Sequence, residues 1–277
     1  QLVLLVLAVV LPLLVLAAVM FLRDVQFQRA ALERGMKDTA RALSLALDRE
    51  VGKLHAVLET LAASPSLDSR DFKSFNELAL RATEQHKGSR IVLFDRSGQQ
   101  IINTLRPFGA SLPNILQEAR KSPEATEGGL PLGSPPTVKS VLETGEPVIS
   151  DLFMGLVSKR PSLATTVPVI RDGNIEYGLS MVTLPANFTT LLREQGLPHE
   201  WNAVIVDRNG IIISHNPDAK RFVGRPASPK LRGLLSQSDH GWSASQTSDG
   251  VQLYSAFARS RLTGWAVAIE APQAAID

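Results

Sequence analysis

The side chains that usually carry out catalysis or bind metals form no recognisable motif in this 277-residue sequence. There is no cysteine, and no two histidines have the H-E-x-x-H spacing that places two metal ligands on one face of a helix. Neither a G-x-S-x-G nucleophile motif nor a phosphate-binding P-loop occurs. We therefore predict that the chain is not an enzyme, and we expect no metal and no cofactor. The five histidines are His55, His86, His199, His215 and His240.

Two aspartates, Asp95 and Asp207, are the obvious candidates for a pair of catalytic carboxylates, but they hold the same position in a repeated pattern. Residues 91–104 read IVLFDRSGQQIINT, and residues 203–216 read AVIVDRNGIIISHN. Each stretch predicts a strand, a tight turn and a second strand, in which the aspartate caps the turn and the glycine takes a positive φ. We therefore assign turn formation, rather than catalysis, to both carboxylates.

Three basic side chains are candidates for binding a small carboxylate. Lys159 and Arg160 lie in SKRPS (158–162) between two predicted strands, and Arg106 follows the first hairpin. Arginine suits a carboxylate because its planar guanidinium can donate two parallel hydrogen bonds. The alternative is that Lys159 and Arg160 form a solvated hairpin tip.

The repeat extends beyond the two hairpins. GLSMVTLP at 178–185 and GWAVAIEAP at 264–272 each combine a glycine, an apolar strand and a terminating proline. The same order of elements occurs twice, about 110 residues apart in the chain, and this repeat predicts two similar tandem domains. Each is expected to have an antiparallel sheet of about five strands with helices on one side, which is the α+β class. Further predicted elements are helices at 138–143, 187–195 and 231–237 and strands at 147–153, 162–170, 176–184, 241–247, 250–258 and 264–271.

The elements before the repeat predict attachment to a membrane. Residues 1–22 contain no charged side chain and are long enough, as a helix, to cross a hydrocarbon core. A cleaved signal peptide is the alternative, but its apolar stretch is typically shorter. We therefore expect an uncleaved transmembrane anchor. Elsewhere, 29 Lys and Arg against 27 Asp and Glu form no basic stripe, which argues against a nucleic-acid partner.

A charged helix is predicted from Arg23 to about Ala63. Its apolar residues recur every three or four positions and so form one stripe along the helix. One interpretation is a signalling stalk that also pairs with its copy in a homodimer. The other is an amphipathic helix that packs on its own core. The stripe consists of Leu43, Leu47, Val51, Leu54, Leu58 and Leu61.

An anchor, a long helix and two successive hairpin-plus-three-strand units resemble the double Cache (tandem PAS-like) sensor region of bacterial membrane receptors. The stretches that carry the resemblance are GEPVISDLFMGLVSKRPSLATTVPVIRDGNIEYGLSMV in the first unit and WNAVIVDRNGIIISHNPDAKRFVGRPAS with GWAVAIEAP in the second. DRSGQQIINTLRPFGASLP (95–113) is similar to the first unit of alphaproteobacterial sensor histidine kinases. The resemblance implies a ligand bound in the first, membrane-distal unit, between its sheet and the loops that cover it.

The resemblance also implies which residues would contact that ligand. Amino-acid-binding members carry an aromatic and arginine cluster before an Asp at the third strand, and a second Asp in the last strand. Asp151 matches the first Asp, whereas Thr183 stands at the second position. The aromatic cluster is missing from VKSVLETGE at 138–146. A free amino acid is therefore a poor ligand for this site, and a small carboxylate held by Lys159, Arg160 or Arg106 is preferred.

Together these observations predict the small-molecule sensor region of a dimeric receptor in the bacterial inner membrane, exposed to the periplasm. A sensor histidine kinase is the preferred parent protein. A chemoreceptor, a diguanylate cyclase or a structural, protein-docking module without a ligand are the alternatives. The predicted organisation is a transmembrane anchor (1–22), the stalk helix and following segment (23–80), the membrane-distal unit (81–186), a connecting helix (187–200), the membrane-proximal unit (201–272) and the start of a connection to a second transmembrane helix (273–277).

Overall fold

The fold is built on one long helix, α1, followed by two antiparallel sheets. A computed structural model of the chain describes residues 2–121, 129–246 and 252–275. Helix α1 runs without a break through the segments predicted as anchor and stalk. Among the residues whose side chains the structure describes, which leave out most of 1–29, no helix has a stretch long and apolar enough to span a membrane. The helices are α1 (Leu2–Ala62), α2 (Pro65–Asp68), α3 (Phe72–Gln85), α4 (Ile115–Lys121), α5 (Pro135–Thr144), α6 (Pro185–Glu194), α7 (Ala219–Phe222) and α8 (Pro229–Gln237).

The two sheets have the same topology. The first sheet has the order β2-β1-β6-β5-β3, with β4 paired to β5, and the second has the order β8-β7-β11-β10-β9. In both, the hairpin lies beside the last strand, so the repeat seen in the sequence is a repeat of the fold. The strands are β1 (Arg90–Asp95), β2 (Gln100–Asn103), β3 (Val148–Ile149), β4 (Phe153–Met154), β5 (Pro161–Arg171), β6 (Asn174–Thr183), β7 (Asn202–Val206), β8 (Ile212–Asn216), β9 (His240–Gln246), β10 (Gln252–Arg259) and β11 (Ala266–Pro272). We call the sheet of β1–β6 and its helices the first unit, and that of β7–β11 the second unit.

The turns of the two hairpins confirm the role predicted for their aspartates. Asp95 Oδ1 accepts hydrogen bonds from the backbone N–H groups of Ser97 (2.8 Å) and Gln99 (3.1 Å). Asp207 Oδ1 does the same with those of Asn209 (2.9 Å) and Ile211 (2.8 Å). The glycines that follow have φ angles of +82° at residue 98 and +78° at residue 210, which a side chain would disfavour. The second predicted turn of the second unit, at 249–250, lies outside the described residues.

The apolar stripe of α1 packs into the core of its own chain. Its six residues are all at most 5% exposed. The C-terminal part of the stripe, including Leu54 and Leu58, packs on the first sheet together with α3. The N-terminal part, including Leu43 and Leu47, packs on the second sheet together with α6. This part of the helix therefore packs on both units, and a dimer contact along residues 43–61 would need a different face.

Candidate ligand site in the first unit

A cavity of about 60 Å³ lies on the face of the first sheet opposite α1. Strand alternation creates this face, because Arg90, Val92 and Phe94 of β1 point to it while the residues between them point to α1. Helix α5 and the stretch 153–158 cover it. The lining residues are Arg90, Val92, Phe94, Gln100, Asn103, Ile115, Gly133, Ser134, Thr137, Val138, Phe153, Gly155, Leu156, Val157, Ser158, Ala164, Thr166, Ser180 and Val182.

Arg90 is the one charged side chain in the described lining of this cavity. It is 9% exposed, and its Nη2 donates a hydrogen bond to Ser162 Oγ (2.9 Å). Among the described residues, no carboxylate forms an ion pair with it. Burial lowers the pKa of Arg90, and the positive charge of nearby Arg160 lowers it further. The cavity therefore contains a cation without an anionic partner in the described chain.

Neutral polar groups line the sheet beside Arg90. Asn103 Nδ2 donates to Gln100 Oε1 (2.8 Å), and both side chains are buried. Across the sheet, the hydroxyls of Thr166 and Ser180 form a hydrogen bond of 2.7 Å. Each of these groups has a partner within the protein, as buried polar groups generally require. Their free lone pairs and N–H groups can still orient a small polar molecule.

A glycine allows one wall of the cavity to form. The ring of Phe94 lies directly against Gly178 of β6, where an added Cβ would come within 2.2 Å of the ring. A larger residue at position 178 would therefore push the ring away from the strand. Because Gly178 has no side chain, the ring of Phe94 can lie against β6, and this position of the ring helps to set the size of the cavity.

The predicted basic candidates lie at or beyond the rim. Arg160 and Lys159 are exposed and are not part of the lining. Arg160 nevertheless lies close enough to Arg90 for its positive charge to lower the pKa of Arg90. Lys159 occupies a tight turn with φ +53°. Arg106 is exposed and also lies outside the lining.

Thr183 and Asp151 do not line the cavity either. Thr183 directly follows Val182, so strand alternation turns it to the opposite face of the sheet, toward α1 and α6. There it borders a separate groove with Glu50 and Phe188. Asp151 is directed to the second unit. The positions carried over from the resembled family are thus used for packing and for contact between units in this chain.

Asp151 joins the two units through a group of hydrogen bonds. Its Oδ1 accepts from Arg208 Nε (2.9 Å) and its Oδ2 from Asn209 Nδ2 (3.2 Å), both in the turn between β7 and β8. Arg208 Nη2 also donates to the backbone oxygen of Ile149 (2.7 Å). In the opposite direction, the backbone N–H of Leu152 donates to Asp207 Oδ2 (3.2 Å).

Asp207 is buried at this contact between the units. Its burial raises its pKa and the charge of Asp151 raises it further, while the hydrogen bonds from backbone N–H groups act in the opposite direction. The carboxylate thus has two tasks, since it caps its own turn and receives Leu152 of the first unit.

Sequence reasoning missed Arg90, Gln100 and Asn103. The signal for Arg90 was present in RIVLFD, where the arginine shares the alternating face of Val92 and Phe94 and is therefore expected to be buried. No comparable signal marks Gln100 or Asn103, because their burial depends on the helices that cover the sheet.

The Cache domain profile matches residues 25–277. The chain belongs to the Cache domain family. No curated protein matches the sequence. Proteins of this family act as extracytoplasmic ligand-binding sensor regions of membrane receptors, and they are not catalytic. This agrees with the expectation that the chain is a sensor region.

Solved Cache structures share the fold at low sequence identity. The extracellular domain of rpHK1S-Z16, a protein assigned as a histidine kinase, has a TM-score of 0.65 and 14% identity, and the match covers 89% of this chain and 97% of that one. The ligand-binding domain of the Campylobacter jejuni chemoreceptor Tlp3, in complex with L-valine, has a TM-score of 0.64 and 11% identity, covering 91% and 96%. That of the Pseudomonas fluorescens chemoreceptor CtaA, in complex with L-serine, has a TM-score of 0.62 and 14% identity, covering 89% and 99%.

Proposed function

We propose that this Cache region is the sensor of a sensor histidine kinase, and that a small molecule binds in the cavity of the first unit. The observation that carries the proposal is a cavity on the face of the first sheet opposite α1, whose largely apolar lining contains a few polar side chains. A cavity with a few convergent polar groups between apolar walls is the usual form of a small-molecule site. A purely structural module would be expected to fill this space with apolar side chains.

A chemoreceptor is the second candidate for the parent protein. Its support is that two of the similar structures, Tlp3 and CtaA, are chemoreceptor domains, whereas rpHK1S-Z16 supports a kinase. Both kinds of receptor use the sensor in the same way. Ligand binding shifts the equilibrium between two conformations of the sensor, and the conformational change must be transmitted across the membrane. The membrane anchor at residues 1–22, the periplasmic location and a homodimer formed along α1 belong to this proposal.

A sensor also needs a physical route from the cavity to the membrane side, and residues 149–158 fit that role. We call them the coupling segment. One end, from Phe153 to Ser158, lines or flanks the cavity. The other end, at Asp151 and Leu152, is hydrogen-bonded to the β7–β8 turn of the second unit. A ligand that moves the cavity wall would therefore act directly on the contact between the units.

Ligand binding is tested by thermal unfolding of the purified chain against small acids, amides and amino acids. A compound that binds the native state raises the melting temperature. Replacing Ala164, a lining residue that is 5% exposed, with Leu fills the cavity and should abolish the shift. If Ala164→Leu folds, by circular dichroism, and still responds like the parent chain, the ligand binds elsewhere and the proposed site is wrong.

A further inference from the structure

We infer that the ligand is a small organic anion whose carboxylate pairs with the Arg90 guanidinium inside the first-unit cavity. This inference rests on the proposed function of that cavity, and it adds the chemical class of the ligand and the residue that recognises it.

The positive charge of Arg90 has no anionic partner in the described lining of the cavity. A buried ion is costly unless it is paired, and Arg90 is buried with a serine hydroxyl as its hydrogen-bond partner. The exposed Arg160 adds positive charge nearby instead of neutralising it. A guanidinium carries five N–H donors, so most of the donors of Arg90 remain available. A bound anion would supply the missing charge and accept these hydrogen bonds together.

The described lining of the cavity contains no acidic side chain. An amino acid carries an ammonium group beside its carboxylate. Inside the cavity this ammonium group would need one anionic hydrogen-bond acceptor or several neutral ones. The carboxylate that could serve, Asp151, is engaged by Arg208 and Asn209. A carboxylate without an ammonium group therefore fits the described lining better than an amino acid does.

The walls and the size of the cavity limit the rest of the ligand. Apolar side chains, including Val92, Val138 and Phe153, make up the walls away from Arg90. A volume of about 60 Å³ leaves room for only a few heavy atoms. These walls favour a short hydrocarbon tail next to the anionic group. An inorganic phosphate would place its remaining charged oxygens against apolar surface, which is unfavourable.

The test is calorimetric titration of the purified chain with matched compounds. The probes are acetate and propionate, the corresponding amides acetamide and propionamide, the amino acid alanine, and inorganic phosphate. We expect at least one of the two acids to bind, and to bind at least about tenfold more tightly than its amide, than alanine and than phosphate. The amides lack the negative charge, alanine adds an ammonium group, and phosphate lacks the hydrocarbon tail.

Variants of the arginines identify the group that binds the acid. Arg90→Met keeps the unbranched inner part of the side chain and removes the charged guanidinium, and it should weaken acid binding by at least about tenfold. Arg90→Lys keeps the positive charge but loses the planar guanidinium that can donate two parallel hydrogen bonds, so it should retain part of the affinity. Arg106→Ala, at an exposed position outside the lining, is the control and should change the affinity less than about twofold.

Melting temperatures without ligand separate recognition from a structural role. If Arg90 serves the ligand, Arg90→Met should melt at the same or a higher temperature than the parent chain, since it removes an unpaired buried charge. If Arg90 is instead a structural residue, the substitution lowers the melting temperature and leaves the preference for acids intact. This second pattern overturns the inference. Should Arg90→Met fail to fold, Arg90→Lys decides, because equal acid affinity in that variant also overturns it.

The proposed function and this inference fail in different ways. Binding of amides or alanine as tightly as the acids, lost in Ala164→Leu, overturns the anionic ligand but keeps the cavity as a sensor site. Acid binding that is unaffected by Ala164→Leu and by Arg90→Met overturns both.

Discussion

Individual residues of this chain make contacts that differ from those expected at the same positions of the resembled family. The resemblance implied ligand contacts at Asp151, which matches the family's first Asp, and at Thr183, which replaces the second. Asp151 instead contacts the second unit, and Thr183 lies on the other face of the sheet. Arg90, at the start of β1, is directed into the cavity instead. The charged side chain in the described lining of the cavity is therefore a cation, which favours a ligand of opposite charge.

The exposed Arg160 is expected to assist Arg90 from the rim of the cavity. Arg160→Ala should weaken binding of an acid by about 1 kcal/mol, roughly fivefold, because it removes a nearby positive charge. Its effect on the matching amide should be much smaller, since a neutral ligand does not respond to that charge. Calorimetric titration of both compounds measures the two effects. Equal losses for acid and amide would mean that Arg160 acts through the shape of the loop.

His215 makes the stability of the second unit depend on pH. Its ring stacks on Phe222 with centroids 4.2 Å apart, and its Nδ1 contacts the backbone oxygen of Pro217. Burial lowers the pKa of His215 below its ordinary value of about 6.5, while the Pro217 contact and the charge of Asp218 partly oppose this change. The folded state therefore binds the proton less readily than the unfolded state does.

The sign of the pH effect follows from that difference. The contribution of His215 to stability is present above the unfolded pKa and is lost as the pH falls below about 6.5. We expect the melting temperature of the parent chain to fall more steeply between pH 7.5 and 5.5 than that of His215→Gln. His240→Gln, at an exposed histidine, is the control and should keep the parent slope. Parallel curves for the parent chain and His215→Gln would refute the assignment.

At the scale of elements, the sequence predicted much of the fold because the relevant signals are local. The D-R-x-G turns, the strand before each terminating proline and the stripe of α1 depend on neighbouring residues, and each is found in the structure. The helix predicted at 187–195 is α6, shifted by one or two residues. Such boundary shifts are expected because helix ends fray, and α6 begins at Pro185, a residue that is favoured in the first turn of a helix.

The candidate site was harder to predict because it depends on contacts between distant parts of the chain. The tasks of Asp151 follow from Arg208, which is far away in the sequence and belongs to the other unit. Thr183 was assigned to the site without regard to strand alternation, although Val182 beside it faces the cavity. Arg90 could have been found from the alternation of β1. The sequence could not show that Arg90 lacks a carboxylate partner, because the neighbours of a side chain are known only from the three-dimensional structure.

The coupling segment gives a measurable link between the two units. A double-mutant cycle of Asp151→Ala and Arg208→Ala should give a coupling energy of about 1 kcal/mol in the free energy of unfolding, since the pair shares charged hydrogen bonds and is partly buried. The exposed pair of Glu118 and Lys121 within α4 is the control and should give about 0.5 kcal/mol or less. Similar values for both pairs would mean that the inter-unit contact adds no more than an ordinary surface ion pair.

At the scale of the whole molecule, α1 and the coupling segment connect the units in different ways. Helix α1 packs against both sheets through one continuous apolar stripe, whereas the coupling segment joins the cavity to the β7–β8 turn through a few polar contacts. Apolar packing of that kind resists deformation, while a small group of hydrogen bonds can rearrange at lower cost. A ligand in the first unit can therefore change the contact at Asp151 while α1 keeps the two sheets in place.

The central claim is that a ligand in the first-unit cavity acts on the second unit through the coupling segment. Amide hydrogen exchange of the purified chain, with and without a saturating acid ligand, tests it most directly. We expect slower exchange in residues 153–158, which line or flank the cavity, together with a change in exchange at the β7–β8 turn, residues 207–211. Asp151→Ala should keep the first effect and lose the second. Slower exchange at the cavity with an unchanged turn in the parent chain would contradict the coupling, and no change at 153–158 would contradict the site.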